Sequence, residues 1–175
     1  WWDWLTPFSV VTGLALVVGY RLLGATWLVM KTTGPVHDHA VSVAKRTSVV
    51  TLALIGAVNL WTPFQNPAYL ERWFAWPTAI FSGIVPLLVL GAAFALHRAL
   101  RDGNDTIPFI AAQVIFALCF AGIGISFYPY MVPPSLTIWQ AAAPSESLSF
   151  LLVGAVVLVP TILAYTAYSY WVFRG

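Results

Sequence analysis

Five long apolar segments, separated by shorter polar stretches, dominate the hydropathy pattern of this chain. They cover residues 7–30, 47–64, 76–96, 107–130 and 147–173. At about 1.5 Å of rise per residue, each segment is long enough to cross a hydrocarbon core of about 30 Å as a helix. The segments are too long for barrel strands and do not alternate polar with apolar residues. The pattern therefore predicts an all-α, polytopic membrane protein with five transmembrane helices.

The polar residues between the segments predict where the helices begin and end. The stretch 31–46 is expected to be a loop, because it contains charged and histidine side chains. Asp105 or Thr106 is expected to cap the fourth helix, and Ser145 the fifth, since short oxygen-bearing side chains accept hydrogen bonds from free N–H groups at a helix start. The five helices together are expected to form a single membrane domain over 1–175.

Composition supports a membrane protein. Of the 175 residues, 60% are hydrophobic and only 8% are charged, against about 25% charged in soluble domains. The mean hydropathy is +0.84. These values exclude an ordinary soluble enzyme, a disordered segment and a nucleic-acid-binding protein, which needs a basic face. The single cysteine, Cys119, lies in an apolar run and excludes a disulfide framework.

Basic residues are concentrated at one end of the alternating five-helix arrangement. That end carries Lys31, Lys45, Arg46, Arg98, Arg101 and Arg174, six of the eight Lys and Arg residues. The positive-inside rule places this end in the cytoplasm. The Trp1 end is therefore expected outside the cytoplasm, and the Gly175 end on the cytoplasmic side.

Small residues at a spacing of four indicate that the helices pack together rather than stand apart, since small side chains let helix backbones approach in lipid. The candidate pairs are Ala53 with Ala57, Gly91 with Ala95, and Gly122 with Ser126.

Few residues could carry chemistry. His37, Asp38 and His39 are consecutive, but two histidines without a further ligand make a poor metal site, and a solvated loop is the favoured interpretation. His97 is expected at a membrane interface. No histidine stands at the centre of a predicted helix, so we expect this chain to ligate no haem. No catalytic, cofactor-binding or metal residue is therefore predicted.

Three polar residues within the predicted helices are the intramembrane candidates: Arg21, Asn59 and Gln113. A buried Arg costs at least about 2.5–3.5 kcal/mol unless it is compensated. Arg21 is therefore expected to meet neutral acceptors such as Asn59 and Gln113, or an acid from another part of the assembly, although snorkelling to the interface is an alternative. Asn59 and Gln113 are expected to form hydrogen bonds between helices.

Several motifs resemble subunit II of cytochrome bd-type quinol oxidases. The stretch GYRLLGATWLVMKTTG (Gly19–Gly34) is similar to one characteristic of that subunit, although Arg21 stands where a small apolar residue is expected. PYMVPPSLTIWQAAAPS and PTILAYTAYSYWVFRG, both within Pro129–Gly175, resemble its C-terminal end. LWTPF (Leu60–Phe64) and RWFAWP (Arg72–Pro77) resemble the cyanide-insensitive branch.

The resemblance implies a place for this chain in a larger assembly. Subunit II of the family lies in the bacterial inner membrane and has nine helices, in two bundles of four with one peripheral helix. This chain is expected to be the C-terminal half of such a subunit, a four-helix bundle plus the peripheral helix, with its Trp1 end on the periplasmic side. The family oxidises a membrane quinol such as ubiquinol and reduces O₂ to water, which generates a proton-motive force. Its haems, b and d or b alone, belong to subunit I. The implied partners are subunit I, the N-terminal half of subunit II and the lipid bilayer.

Two other classes of protein remain as alternatives. A membrane transporter is suggested by Pro86 and Pro160 within two of the helices and by Arg21, since interrupted helices often form transport sites. The absence of an acidic residue within any predicted helix is evidence against a proton- or cation-coupled transporter. An assembly scaffold is the second alternative. Haem bands that co-purify with the chain would distinguish the oxidase from both.

Overall fold

A computed structural model of the chain describes residues 2, 5–66, 68–133 and 135–173. The chain divides into two compact units, Trp1–Tyr128 and Pro129–Gly175. The expectations for Trp1, Arg174 and Gly175 lie outside the described residues.

Helices make up most of both units. The first unit contains α1 (Pro7–Lys31), α2 (Pro35–Gln65), α3 (Ala68–Phe74), α4 (Thr78–Asp102) and α5 (Ile107–Phe127). The second contains the strands β1 (Tyr130–Val132) and β2 (Leu136–Thr137), then α6 (Ile138–Ala141) and α7 (Ser145–Val172). Five of the described helices, α1, α2, α4, α5 and α7, are long and apolar enough to cross a membrane. This confirms the prediction of an all-α polytopic membrane protein.

The start of α1 is defined by a reciprocal pair of hydrogen bonds. The Ser9 N–H donates to Oγ1 of Thr6 at 3.1 Å, and the Thr6 N–H donates to Oγ of Ser9 at 3.0 Å. Pro7 occupies the first turn, where its missing N–H costs nothing. The predicted limits of the first helix, 7–30, are confirmed to within one residue.

The second helix begins at Pro35 rather than at Thr47, so the prediction of a loop over 31–46 is wrong. Gly34 turns the chain at a φ of 69°, a left-handed conformation that favours glycine, and Pro35 then starts the helix. Hydropathy marks where a helix enters lipid and not where the helix itself begins. The charged first part of α2 is helical because its small residues Ala40 and Ala44 pack into the core.

The cap of α5 also differs from the prediction. Oδ1 of Asn104 accepts hydrogen bonds from the N–H groups of Thr106 at 3.0 Å and Ile107 at 2.9 Å. The Thr106 side chain, at the N-cap position, makes no capping bond, and Asp105 bonds elsewhere, as described below. Asn104 reaches the helix start from outside it because its short side chain can bridge to N–H groups two and three residues ahead.

The second unit starts with a short antiparallel hairpin that the hydropathy pattern does not predict. Tyr130 in β1 pairs with Thr137 in β2. The helix α6 follows directly, with a capping box between Thr137 and Gln140. The N-cap position of α7 is Pro144 and not Ser145, which is the first helical residue. Within this unit none of the α7 residues that the structure describes is buried.

In the first unit, α1 packs mainly against α2, and α4 against α5. Their buried apolar residues form one cluster: Leu22, Ala25, Val29, Ala40, Ala44, Val89, Ala93, Leu96, Leu100, Ala111, Ala112 and Ile115. These residues come from the C-terminal halves of α1 and α4 and the N-terminal halves of α2 and α5. The core therefore lies toward the end of the bundle that carries the α1–α2 and α4–α5 turns.

The predicted small-residue pairs are mostly not at this core. Ala53, Ala57, Gly91 and Ala95 are exposed within the chain. Ala40 and Ala44 on α2 instead provide the buried pair at a spacing of four. A further close approach occurs at Gly19 on α1, where an added Cβ would stand 2.9 Å from Cζ of Phe116 on α5. Spacing alone could not choose among the small residues because membrane helices contain many of them.

Candidate functional site

One polar contact between helices lies beside the buried cluster. His97 on α4 faces Ser48 on α2, with 3.2 Å between Nε2 and Oγ. Its Nδ1 donates to the Ala93 carbonyl at 3.0 Å, and Oγ of Ser48 lies 2.9 Å from the Lys45 carbonyl. His97 is half-buried and Ser48 is 1% exposed. His97 therefore ties α4 to α2, which is a structural role that its position near a helix end did not reveal.

His37 joins the two turns at the same end of the bundle. Its Nε2 lies 3.0 Å from Oδ1 of Asp105, and its Nδ1 lies 3.3 Å from Oδ1 of Asp38. The hydrogen bond with Asp105, followed by that with Asp38, raises the pKa of this imidazole, which stands outside the apolar part of α2. The contact confirms that the α1–α2 and α4–α5 turns are neighbours at one end.

The prediction that His37, Asp38 and His39 lie in a solvated loop is wrong, because all three occupy the first turns of α2. Helical geometry turns the three side chains in different directions. His37 meets Asp105, whereas His39 lines a separate cavity beside Arg21. Among the residues that the structure describes, no group of three or more His, Cys, Asp or Glu side chains could hold a metal ion.

Arg21 is exposed within the chain and lines a cavity between α1 and α2. The cavity also contains His39 and Arg46, and neither Asn59 nor Gln113 borders it. Within the described chain, Arg21 therefore shares no cavity with these two neutral side chains, and compensation by an acid from another part of the assembly stays a prediction. The sequence could not reveal this neighbourhood, because it depends on the angle at which α1 meets the unexpectedly long α2.

Asn59 and Gln113 do not join helices within the described part of the chain. Nδ2 of Asn59 donates to the Ile55 carbonyl of its own helix at 2.8 Å, and the side chain is exposed. Gln113 is exposed on α5, and no described residue accepts or donates a hydrogen bond to its side chain. The prediction of interhelical hydrogen bonds from these two residues is wrong for this chain by itself.

Sequence reasoning missed the hydroxyl side chains that the core does bury. These are Thr26 on α1 and Thr47, Ser48 and Thr51 on α2. Thr26 and Thr47 donate their hydroxyl protons to carbonyls one turn back in the same helix, which removes most of the cost of burying them. The Ser48 hydroxyl lies within hydrogen-bond distance of two groups, the Lys45 carbonyl and Nε2 of His97. The sequence contains a pattern that could have indicated this buried face. The small residues Ala40, Ala44, Thr47 and Thr51 recur at spacings of three and four, which places them on one side of a helix.

The opposite end of the first unit is held by aromatic and basic side chains. Nε1 of Trp73 on α3 donates to Oγ of Ser126 at 3.0 Å, and Nε of Arg72 donates to the Ile125 carbonyl at 3.3 Å. Phe8 and Trp61 meet edge to face with their ring centroids 6.0 Å apart. These contacts agree with the expected position of tryptophan near helix ends.

Helices of this length and apolarity, with polar side chains mostly near their ends, define a multi-pass membrane protein. The chain matches the family model described as "Cytochrome bd terminal oxidase subunit II" over residues 1–173. It therefore belongs to the cytochrome bd terminal oxidase subunit II family, as the motifs at its two ends predicted. The match supports the oxidase interpretation and gives no support to the transporter or scaffold alternatives.

Individual relatives are similar along nearly the whole chain. Cytochrome bd-I ubiquinol oxidase subunit 2 of Escherichia coli K12 is 25% identical over 98% of this chain and 53% of its own length. A probable cytochrome oxidase subunit 2 of Haemophilus influenzae is 27% identical over 95% of this chain and 51% of its own length. Cytochrome bd ubiquinol oxidase subunit 2 of Bacillus subtilis is 24% identical over 98% of this chain and 51% of its own length. The chain thus spans about half the length of the curated relatives it matches.

Proposed function

We propose that this chain is the C-terminal half of subunit II in a bacterial respiratory quinol oxidase. In this role it supports a haem-bearing subunit I, which oxidises ubiquinol and reduces O₂ to water and so contributes to the proton-motive force. The observation that carries the proposal is the family match over residues 1–173. The proposed partners are subunit I, the N-terminal half of subunit II and the surrounding bilayer.

The exposed apolar surface of the chain supports a role inside a larger membrane assembly. Leu87, Leu90 and Phe94 on α4 are each more than 60% exposed within the chain. The described residues of α7 are likewise unburied within their own unit. In a membrane, such faces are covered by lipid or by other helices, and packing against other helices needs no additional polar groups.

Two of the three histidines, His37 and His97, are engaged within the described part of the chain. An axial imidazole must direct one free ring nitrogen at the iron. Both ring nitrogens of His97 face protein acceptors or donors, and both ring nitrogens of His37 face carboxylates. As the family resemblance implies, we assign the haems, which would carry electrons and bind O₂, to subunit I, and we propose that the residues of this chain act by packing.

Removing every imidazole from the chain should leave the haem content of the oxidase unchanged. The test is the triple variant His37→Gln, His39→Gln, His97→Gln in the full-length subunit II, since glutamine retains hydrogen-bonding groups at each position. The haem-to-protein ratio of the purified complex, measured as pyridine haemochrome, should equal that of the wild type. The amount of subunit I that co-purifies serves as the control for assembly. Loss of one haem from an assembled triple variant would show that this chain supplies an axial ligand.

The orientation of the helices can be tested by labelling with a membrane-impermeant maleimide. We expect Ser135→Cys to react from the periplasmic side of intact cells and Thr33→Cys to react only after the membrane is opened, because basic residues concentrate at the α1–α2 end. Both positions are exposed, and Cys119→Ser removes the single thiol of this chain. The reverse labelling pattern would invert the proposed topology.

A further inference from the structure

The cavity between α1 and α2 has a volume of about 390 Å³. It combines positively charged and apolar walls. Its lining consists of Val18 and Arg21 from α1, with His39, Ser42, Val43, Arg46, Thr47 and Val50 from α2. The α2 residues recur at helical spacing and so share one face of that helix.

The charged wall of the cavity lacks an acidic partner. Arg21 and Arg46 are permanently charged, and His39 adds a titratable imidazole beside them. No described Asp or Glu forms an ion pair with Arg21 or Arg46, and no acidic residue lines the cavity. Two guanidinium groups in one cavity repel each other unless an anion lies between them. The arrangement therefore favours an anion with several acceptor oxygens.

The length of α2 places this cavity at the boundary of the hydrocarbon. With 31 residues, α2 is about 46 Å long, which exceeds a hydrocarbon core of about 30 Å. Its apolar part begins at Thr47, directly after Lys45 and Arg46. Arg46 therefore stands at the polar end of the apolar part of α2, and Arg21 on α1 lines the same cavity. A phospholipid headgroup at this end of the apolar part of α2 would meet both guanidinium groups.

The other walls of the cavity suit the remainder of a lipid. Val18, Val43 and Val50 provide apolar surface beside the charges. On α1, Val17 and Leu14 next to the cavity are 65% and 54% exposed within the chain, so an acyl chain could lie along this helix. A carboxylate from another protein chain would pair well with one of the two guanidinium groups. A phosphodiester offers oxygen acceptors to the guanidinium groups of both Arg21 and Arg46.

We propose that the cavity formed by Arg21, His39, Ser42 and Arg46 binds the phosphate headgroup of an anionic membrane phospholipid. Basic pockets between transmembrane helices on the cytoplasmic side are suited to such headgroups. Both arginines donate to the phosphate oxygens, and the Ser42 hydroxyl adds a neutral donor. The lipid thereby links α1 to α2 and neutralises Arg21 without an acidic side chain.

The test uses the full-length protein, extracted together with its co-purifying subunits and depleted of lipid. Dioleoylphosphatidylglycerol added in detergent micelles should raise its unfolding temperature in a saturable manner. Dioleoylphosphatidylcholine and inorganic phosphate at equal concentrations should not, because the former lacks net charge and the latter lacks acyl chains. Arg21→Gln and Arg46→Gln should each weaken the apparent affinity for phosphatidylglycerol about tenfold or more, since each removes charge-assisted hydrogen bonds.

Arg101→Gln is the matched control, because Arg101 is an exposed arginine at the same end of the bundle and does not line the cavity. It should leave the affinity for phosphatidylglycerol unchanged. If the glutamine variants fail to assemble, Arg21→Lys and Arg46→Lys serve instead. They keep the charge but lose the planar guanidinium group with its paired donors, and they should still weaken the affinity for phosphatidylglycerol.

Three results would overturn the proposal. One is the absence of a saturable effect of phosphatidylglycerol on the wild type. Another is an equal effect of inorganic phosphate, which would indicate a site for a free anion. The last is an Arg21→Gln variant that is unstable at every lipid concentration but keeps its affinity for phosphatidylglycerol, which would indicate an acidic side chain from a partner.

Discussion

Replacing Leu96 with alanine should lower the free energy of unfolding by about 2–4 kcal/mol. Leu96 lies on α4 at the centre of the buried cluster and is completely inaccessible within the chain. Part of the effect measured in soluble proteins comes from transfer out of water, which is small between lipid and protein. The larger part here comes from the cavity left behind, because the neighbouring side chains lose their contacts and the close-packed helices relax only partly.

The measurement is unfolding of the full-length subunit by a denaturing detergent titrated into mild micelles. Leu90→Ala is the matched control on the same helix, since Leu90 is 63% exposed within the chain. That control should change the free energy of unfolding by less than about 0.5 kcal/mol. Equal losses from the two variants would mean that the observed core is not what stabilises the bundle, or that another helix covers Leu90.

Ala44→Leu should also destabilise the protein, by about 1–3 kcal/mol, for the opposite physical reason. Ala44 on α2 is fully buried in the cluster that joins the four helices. Three additional carbon atoms at this position must push α2 away from its neighbours or force side chains out of their preferred rotamers. We expect a lower thermal unfolding midpoint. We also expect a weaker hydrogen bond between Ser48, one turn after Ala44 on α2, and His97 on α4.

Ala53→Leu on the same helix is the control for this substitution, because Ala53 is exposed within the chain. It adds the same atoms to an apolar surface and should leave the unfolding midpoint of the first unit unchanged. The comparison also distinguishes the two packing pairs, since the spacing of four in the sequence indicated Ala53 and Ala57, whereas the structure buries Ala40 and Ala44. A larger loss from Ala53→Leu would favour the pair indicated by the sequence.

A lipid headgroup beside Arg21 would also explain why a charged residue is tolerated within the apolar segment of α1. A guanidinium at the hydrocarbon boundary costs much less than one at the bilayer centre. The long helix α2 changes the surroundings of Arg21, because its charged first part brings Arg46 and His39 to the same cavity. The packing of α1 against α2 thereby reduces the free-energy cost of placing the Arg21 charge in the membrane.

The sequence by itself determined the class of the protein, the number of its membrane helices and its family. These properties depend on the cost of exposing peptide groups to lipid, which requires long apolar helices, and on motifs such as those within Pro129–Gly175. Both are local properties of the chain. The limits of α1 could be read for the same reason, because Pro7 and Lys31 mark its ends directly.

Only the tertiary structure decided where α2 begins, which small residues pack and what each polar side chain meets. Hydropathy could not show that Pro35–Arg46 is helical, because a helix that continues beyond the lipid is stabilised by its neighbours and not by apolarity. Likewise, His37 and His97 meet Asp105 and Ser48, which are far away in sequence, and Arg21 shares a cavity with residues of α2. Contacts between helices depend on their rotation and register, which the pattern along a single segment does not contain.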